Sequence, residues 1–276
     1  MTITLNGYAI NDASTSVYLD VQIDGLSLPG IRTSSGNYSG RDGGYVGSQF
    51  YSSRDIALQG NVFSSNVNAL ETTRTALQAA LKGQNVTVGI ITNAGASYVI
   101  YANLISFQMP IPRDLFKAPF KIELVATDPT IYDNSGGGAL TANVALIVSG
   151  GYTYPVTYPV TYAGSTGPTT VSNSGTTPVY PMITLTGTMT NPVITNNSTG
   201  AFLSLTPITT GPGDTVTIDM RQRRILLNGG NIYALKSGLS SFWSLQPGGN
   251  SISLTSSSGS DTVTATVSWR SGYMGI

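Results

Sequence analysis

Residues 262–269 read Thr-Val-Thr-Ala-Thr-Val-Ser-Trp, so Val263, Ala265, Val267 and Trp269 fall on one side and Thr264, Thr266 and Ser268 on the other. Strict alternation of apolar and hydroxyl side chains is the period of a strand with one buried and one wet face. A helix would scatter the two classes around its circumference. Further short strands are expected at 183–190, 202–205, 215–219, 225–227 and 251–255, with turns of Gly, Pro, Asn or Asp between. Short strands joined by polar turns make a β-sandwich first and a barrel second.

Composition narrows the chemistry. At roughly 150 residues per domain, 276 residues suggest two domains. Only 9% of the residues are charged, 13 Lys+Arg balance 13 Asp+Glu, and there is no His and no Cys. That rules out Ser-His-Asp and Cys-His triads, disulfides and an ordinary zinc site. A neutral chain without a basic block is poorly suited to nucleic acid or an anionic membrane surface. Among carboxylates, Asp12, Asp20 and Asp24 precede a polar loop and Asp128 and Asp133 flank a turn. These are turn and cap positions, and neither glycosidase-like pairing nor calcium-loop spacing appears. The reading is therefore of a protein that is no enzyme, with no catalytic residue, cofactor or metal. The start, MTITLNGYAINDAS, lacks a basic and apolar leader pattern, and the longest apolar run is Val144 to Val148. Both point to a soluble product of a cytoplasm without membrane insertion.

No charged side chain occurs between Asp133 and Asp214, which divides the sequence into three zones. In the first, 1–133, strands are expected at Val17–Ile23, Asp55–Leu58, Val86–Ile91, Tyr98–Ile105 and Phe120–Ala126. One helix is expected, with an N-cap at Ser65-Asn66, apolar residues Val67, Leu70, Leu77 and Leu81, and a stop at Gly83. The stretch 36–53 is so rich in Gly that it reads as a long loop or open hairpin. Its aromatic residues Tyr38, Tyr45, Phe50 and Tyr51 either meet a partner or pack over the domain's own edge. The second zone, 134–180, opens with Ser-Gly-Gly-Gly and carries Tyr-Pro-Val-Thr twice, at 154–157 and 158–161. Proline at that spacing predicts an extended arm, and Tyr154 and Tyr158 give it apolar surface to cover. The third zone, 181–276, is the sandwich. Within it Arg221, Arg223 and Arg224 form either a partner contact or an exposed hairpin tip. Trp243, in Ser-Phe-Trp-Ser-Leu-Gln-Pro-Gly-Gly-Asn, is either core or a stacking platform for sugar.

Taken in series, these motifs resemble a known family. Gly40-Arg41-Asp42-Gly43-Gly44, then Arg54-x-Ile56-x-Leu58-x-Gly60, the helix at 66–82, and Phe120-x-Ile122-x-Leu124-x-Ala126-x-Asp128-Pro129 follow one another in the first zone. Asn191-Pro-Val-Ile-Thr, Gly213-Asp-Thr-Val-Thr-Ile-Asp, Leu227-Asn-Gly, Trp243-Ser-Leu-Gln-Pro-Gly-Gly-Asn and Thr266-Val-Ser-Trp-Arg270 follow in the third. The order is similar to that of the distal tail (Dit) proteins of siphophages, especially the minor tail proteins of actinobacteriophages. The resemblance implies a mainly β fold. Its first part would be a tail-tube-like belt domain (1–133), a β-sandwich or split barrel with one α-helix. An extended linker and arm (134–180) and a galectin-like β-sandwich (181–276) would follow. It also implies a virion protein, a homohexameric ring at the tail tip joining the tail tube protein to the tip hub and to receptor-binding or fibre proteins. The ring-subunit reading makes Tyr38, Arg41, Asp42, Tyr45, Phe50, Tyr51, Tyr154 and Tyr158 candidate intersubunit contacts, and Arg221, Arg223 and Trp243 a candidate partner or ligand surface. A carbohydrate-binding module for host-wall sugar, and a tail-tube or baseplate subunit of other stoichiometry, are the rival readings.

Overall fold

Alternation becomes sheet in the computed structural model, which describes residues 1–20, 23–110, 116–147 and 166–276. The chain forms two units: 1–135 together with 273–276, and 136–272.

The first unit contains β1 (Thr2–Leu5), β2 (Tyr8–Ile10), β3 (Val17–Leu19), β4 (Ile31–Asn37), β5 (Gly44–Tyr51) and β6 (Arg54–Phe63). Helix α1 (Val67–Leu81) follows, then β7 (Val86–Ile91), β8 (Ser97–Gln108), β9 (Lys117–Ala126) and β10 (Ile131–Asp133). Eight of these strands form one sheet, seven in the order β2-β1-β7-β8-β9-β6-β3 and β10 paired with β8. Its two outer strands come together at the turn after β2. There the Asn11 amide donates to the Val17 carbonyl at 2.7 Å, so the sheet is nearly a closed barrel. Closure removes most of the free edge that a sheet otherwise exposes. Alternate residues of each strand, such as Ile3, Leu5, Ile56, Leu58, Val86, Val88, Ile122 and Leu124, fill the interior. Helix α1 starts where the Asn66 side chain accepts from the Ala69 amide at 2.9 Å. It lays Leu70, Leu77 and Leu81 onto the same core and ends at Gly83, whose φ of +122° suits glycine. Val67, expected on the buried stripe, is instead exposed.

The second unit runs through β11 (Leu140–Ala145), β12 (Thr169–Asn173), β13 (Met182–Thr186), β14 (Met189–Thr190), β15 (Val193–Asn196), β16 (Ala201–Ser204), β17 (Thr209–Thr210), β18 (Thr215–Asp219), β19 (Arg224–Leu227), β20 (Gly230–Asn231), β21 (Gly248–Thr255) and β22 (Thr264–Trp269). Two sheets result, β11-β22-β13-β18-β19-β20 and β12-β21-β15-β16, with β14 and β17 paired apart. In β22 Ala265, Val267 and Trp269 are buried, as the alternation requires, and Trp269 donates its indole N–H to the Ser172 carbonyl at 3.0 Å.

The expectation of a linker and arm over 134–180 needs correction. Residues 140–145 and 169–173 are edge strands of the sandwich, β11 against β22 and β12 against β21. The charge-free stretch is uncharged in part because Val144 and Val171 go inside. The Tyr-Pro repeat, with Tyr154 and Tyr158, lies outside the described residues.

Candidate interaction surface

Strands β4 and β5 pair only with each other among the described residues, from Ile31 opposite Tyr51 to Asn37 opposite Gly44, with an irregularity between Thr33 and Ser35. The glycine-rich stretch is therefore the far part of a hairpin rather than a loop. At roughly 3.3 Å per residue its arms extend about 25 Å. Side chains directly opposite share a face. Ile31 and Tyr51 thus sit on one face of the stem, and Phe50 beside Arg32 on the other. Ile31, Val46 and Phe50 are 54%, 65% and 63% exposed, and Tyr38, Tyr45 and Tyr51 are exposed as well. At the tip the Arg41 guanidinium lies 3.9 Å above the Tyr38 ring, which in turn meets Tyr45 at 6.0 Å. Asp42 is exposed in the same turn. The structure brings together six of the eight candidate contact residues on this one element. A ribbon of two strands with apolar groups on both faces has little independent stability in water.

The stem is held by Arg54, the first residue of β6. Its side chain is buried to 1% exposure and donates to four backbone carbonyls: Pro129 at 2.9 Å, Ser27 at 2.6 Å, Met274 at 2.7 Å, and Gly25. Desolvation lowers the pKa of the guanidinium, and the Asp128 charge works the other way. In the sequence Arg54 only opens the motif Arg54-x-Ile56-x-Leu58-x-Gly60, and no local pattern marks it as buried.

A second apolar surface lies at one end of the barrel and was missed by the sequence reading. Phe63, 47% exposed, meets Tyr18 edge-on at 5.8 Å; exposed Phe116 pairs through its carbonyl with the Ser64 amide; and Lys117 lies over the Phe63 ring.

The candidates in the second unit separate. Arg221 and Arg223 are exposed in the turn between β18 and β19, where the Asp219 carboxylate accepts from the Arg221 and Gln222 amides. This is the hairpin-tip geometry. Trp243 is a correction: it is only 4% exposed, which leaves no ring face for a sugar. Its indole N–H is buried with no acceptor among the described residues. Local alternation is absent around 243, so the sequence could not place the ring.

Asp12, Asp128 and Asp133 act as turn braces. Asp12 accepts from the Ser14 amide and hydroxyl, Asp128 from the Thr130 amide and the Tyr132 hydroxyl, and Asp133 from the amide and hydroxyl of Ser135. The bonds from Ser14 hold Asp12 below the usual carboxylate range. No group of three potential metal ligands occurs among the described residues. No helix among them is long and apolar enough to cross a membrane.

The chain is mainly β with one helix, and an apolar hairpin stands apart from the barrel sheet. Residues 174–273 match the siphovirus-type tail component, C-terminal domain. The fold is similar to that of the SPP1 Dit protein, described as a paradigm of the hub adsorption apparatus in phages infecting Gram-positive bacteria. Identity is 16% and the TM-score 0.66, with 98% of each chain covered. A chain of the phage p2 baseplate in its activated, strontium-bound conformation is also similar, at 10% identity and TM-score 0.51, over 96% of this chain and 97% of that one. No curated protein sequence matches.

Proposed function

We propose that the protein forms a closed ring, a homohexamer, at the distal end of the tail. There it connects the tail tube protein to the tip hub and to the proteins that contact the host. The observation that carries this reading is the hairpin. A cyclic ring is built from heterologous contacts, in which each subunit presents two different surfaces. The first unit has two: the hairpin with Ile31, Tyr45, Phe50 and Tyr51, and the barrel end with Tyr18, Phe63 and Phe116. Docking the first on the second of the next copy would shelter both.

Native mass measurement and negative-stain microscopy of the purified chain, alone and with tail tube and hub proteins, test the proposal. Rings of uniform size are expected. A monomer that persists at high concentration with both partners present would refute it. The sugar-binding alternative loses its main support with the burial of Trp243.

A further inference from the structure

We infer that residues 274–276 and Arg54 form a clamp that fixes the direction of the hairpin, which makes Arg54 a positioning residue for the interaction arm. The clamp is argued from the hydrogen bonds alone; only its consequence for assembly rests on the proposed function.

Since β4 and β5 pair with no other strand among the described residues, the hairpin's direction is set where its two ends enter the barrel. One end is 25–30, the other 52–54, and they are joined by the Ser52 amide donating to the Gly30 carbonyl at 2.7 Å. The segment 25–27 is gripped from two sides. On one side it lies against β6: Gly25, with φ +98°, is so close that a Cβ there would stand 2.2 Å from the Asp55 carbonyl oxygen. Arg54 Nη1 bonds both Gly25 and Ser27. On the other side lies the end of the sequence. The Ile276 amide donates to the Leu26 carbonyl at 3.1 Å, and the Met274 carbonyl accepts from Arg54 Nη2. Tyr273 anchors this segment, its ring edge-on to Tyr98 at 5.6 Å. A guanidinium holds its planar fork of donors rigidly. Each carbonyl it binds is thereby fixed relative to the other three.

Every acceptor is backbone, so the clamp depends on the presence of residues 274–276 rather than on their side chains. Removing them leaves a buried guanidinium N–H without its acceptor and opens one side of 25–27. The stem then loses half its grip while the barrel core, to which 274–276 contribute no side chain, keeps its packing. A neighbouring copy would then have to select the competent direction from an ensemble, which weakens apparent affinity by the fraction so oriented.

The absence of cysteine makes the test clean. Cysteines introduced at exposed Ser39, near the hairpin tip, and exposed Gln78, on α1, take spin labels for a pulsed-dipolar distance measurement on dilute, monomeric chain. The full chain is expected to give one narrow distance. The variant ending at Tyr273 is expected to give a broad distribution with its thermal transition largely retained, and Arg54→Met to do the same if it folds. A chain with alanine at 274, 275 and 276 should recover the narrow distance, because it restores the carbonyl and the amide. An equally narrow distance in the shortened variant overturns the clamp. So does failure of the triple-alanine chain to recover it, or a shortened variant whose barrel melts along with the broadening. If the distances behave as expected but no ring forms under any condition, the clamp stands and the ring proposal falls.

Discussion

Phe50 stands on the hairpin stem with 63% of its surface in water. A phenylalanine side chain presents about 200 Å², so covering the exposed part removes about 125 Å² from water, or about 3 kcal/mol at ~25 cal/mol per Å². In the proposed ring, Phe50→Ser would remove this from each subunit contact while taking almost nothing from the isolated chain, which already leaves the ring wet. The monomer's melting temperature should stay within about 2 °C of the parent, as expected of a surface change below ~0.5 kcal/mol. The contact between neighbours should weaken by about two orders of magnitude, since ~1.4 kcal/mol is tenfold. Sedimentation velocity across a concentration series reads both populations directly. The reasoning fails if Phe50→Ser lowers the melting temperature by many degrees, because the ring would then pack within its own subunit. It fails equally if the oligomer forms at unchanged concentration.

Three further outcomes follow from the hydrogen bonds and the core. Leu77→Ala empties a fully buried position under α1 and should cost about 2–5 kcal/mol in urea unfolding of the first unit. Trp269→Phe should cost about 1 kcal/mol beyond its lost packing, because it abandons the Ser172 carbonyl, whereas Trp243→Phe discards an unpaired N–H and should cost less. Near-ultraviolet melting of the two variants compares them. Asp214 accepts from the Gly211 amide and the Asn228 side chain, each at 2.8 Å, and its pKa lies below the usual aspartate value for that reason. A carboxylate depressed in the folded state stabilises the turn fully above the ordinary carboxylate range, and that support fades as the pH falls through the folded value. NMR titration should therefore show the Gly211 amide losing its bonded shift only in acid below that range, and Asp214→Asn should abolish the transition.

Regular repetition was readable in the sequence, and single contacts were not. The alternation of 262–269 and the helix stripe of Leu70, Leu77 and Leu81 both translate directly, because each buries a periodic face. Asn6-Gly7 and Asn228-Gly229 are equally legible as turns: each pair has positive φ at both residues and joins two strands by a tight turn, the conformation that Asn-Gly favours. In 36–53 the glycines masked the β-formers Tyr45, Val46, Phe50 and Tyr51, whose pairing with 31–37 is a non-local fact. Arg54 was opaque for a stronger reason. Its acceptors come from residues 25, 27, 129 and 274, and no local pattern encodes a site assembled from four distant backbone oxygens.

The treatment of sheet edges separates accident from purpose in the exposed hairpin. Unpaired strand edges invite indiscriminate pairing with other chains, and at two other edges the protein closes them. The barrel brings β2 and β3 together at Asn11 and Val17. In the sandwich the outer edge of β16 is covered by 235–241. There the Thr206 amide donates to the Leu235 carbonyl, the Ser237 amide to that of Ser204, and the Ser241 amide to that of Phe202. Lys236 then fastens the covering segment through the Ser237 and Ser240 carbonyls. A chain that closes these edges yet extends an uncovered apolar ribbon has not simply failed to fold it away. The ribbon is also the element whose stem receives the buried arginine, a costly group to desolvate unless its geometry matters. If the ribbon were a passive flap, nothing would be gained by holding its base with four hydrogen bonds from one side chain. A fixed arm makes sense when it must meet one surface, in one direction, on the next subunit.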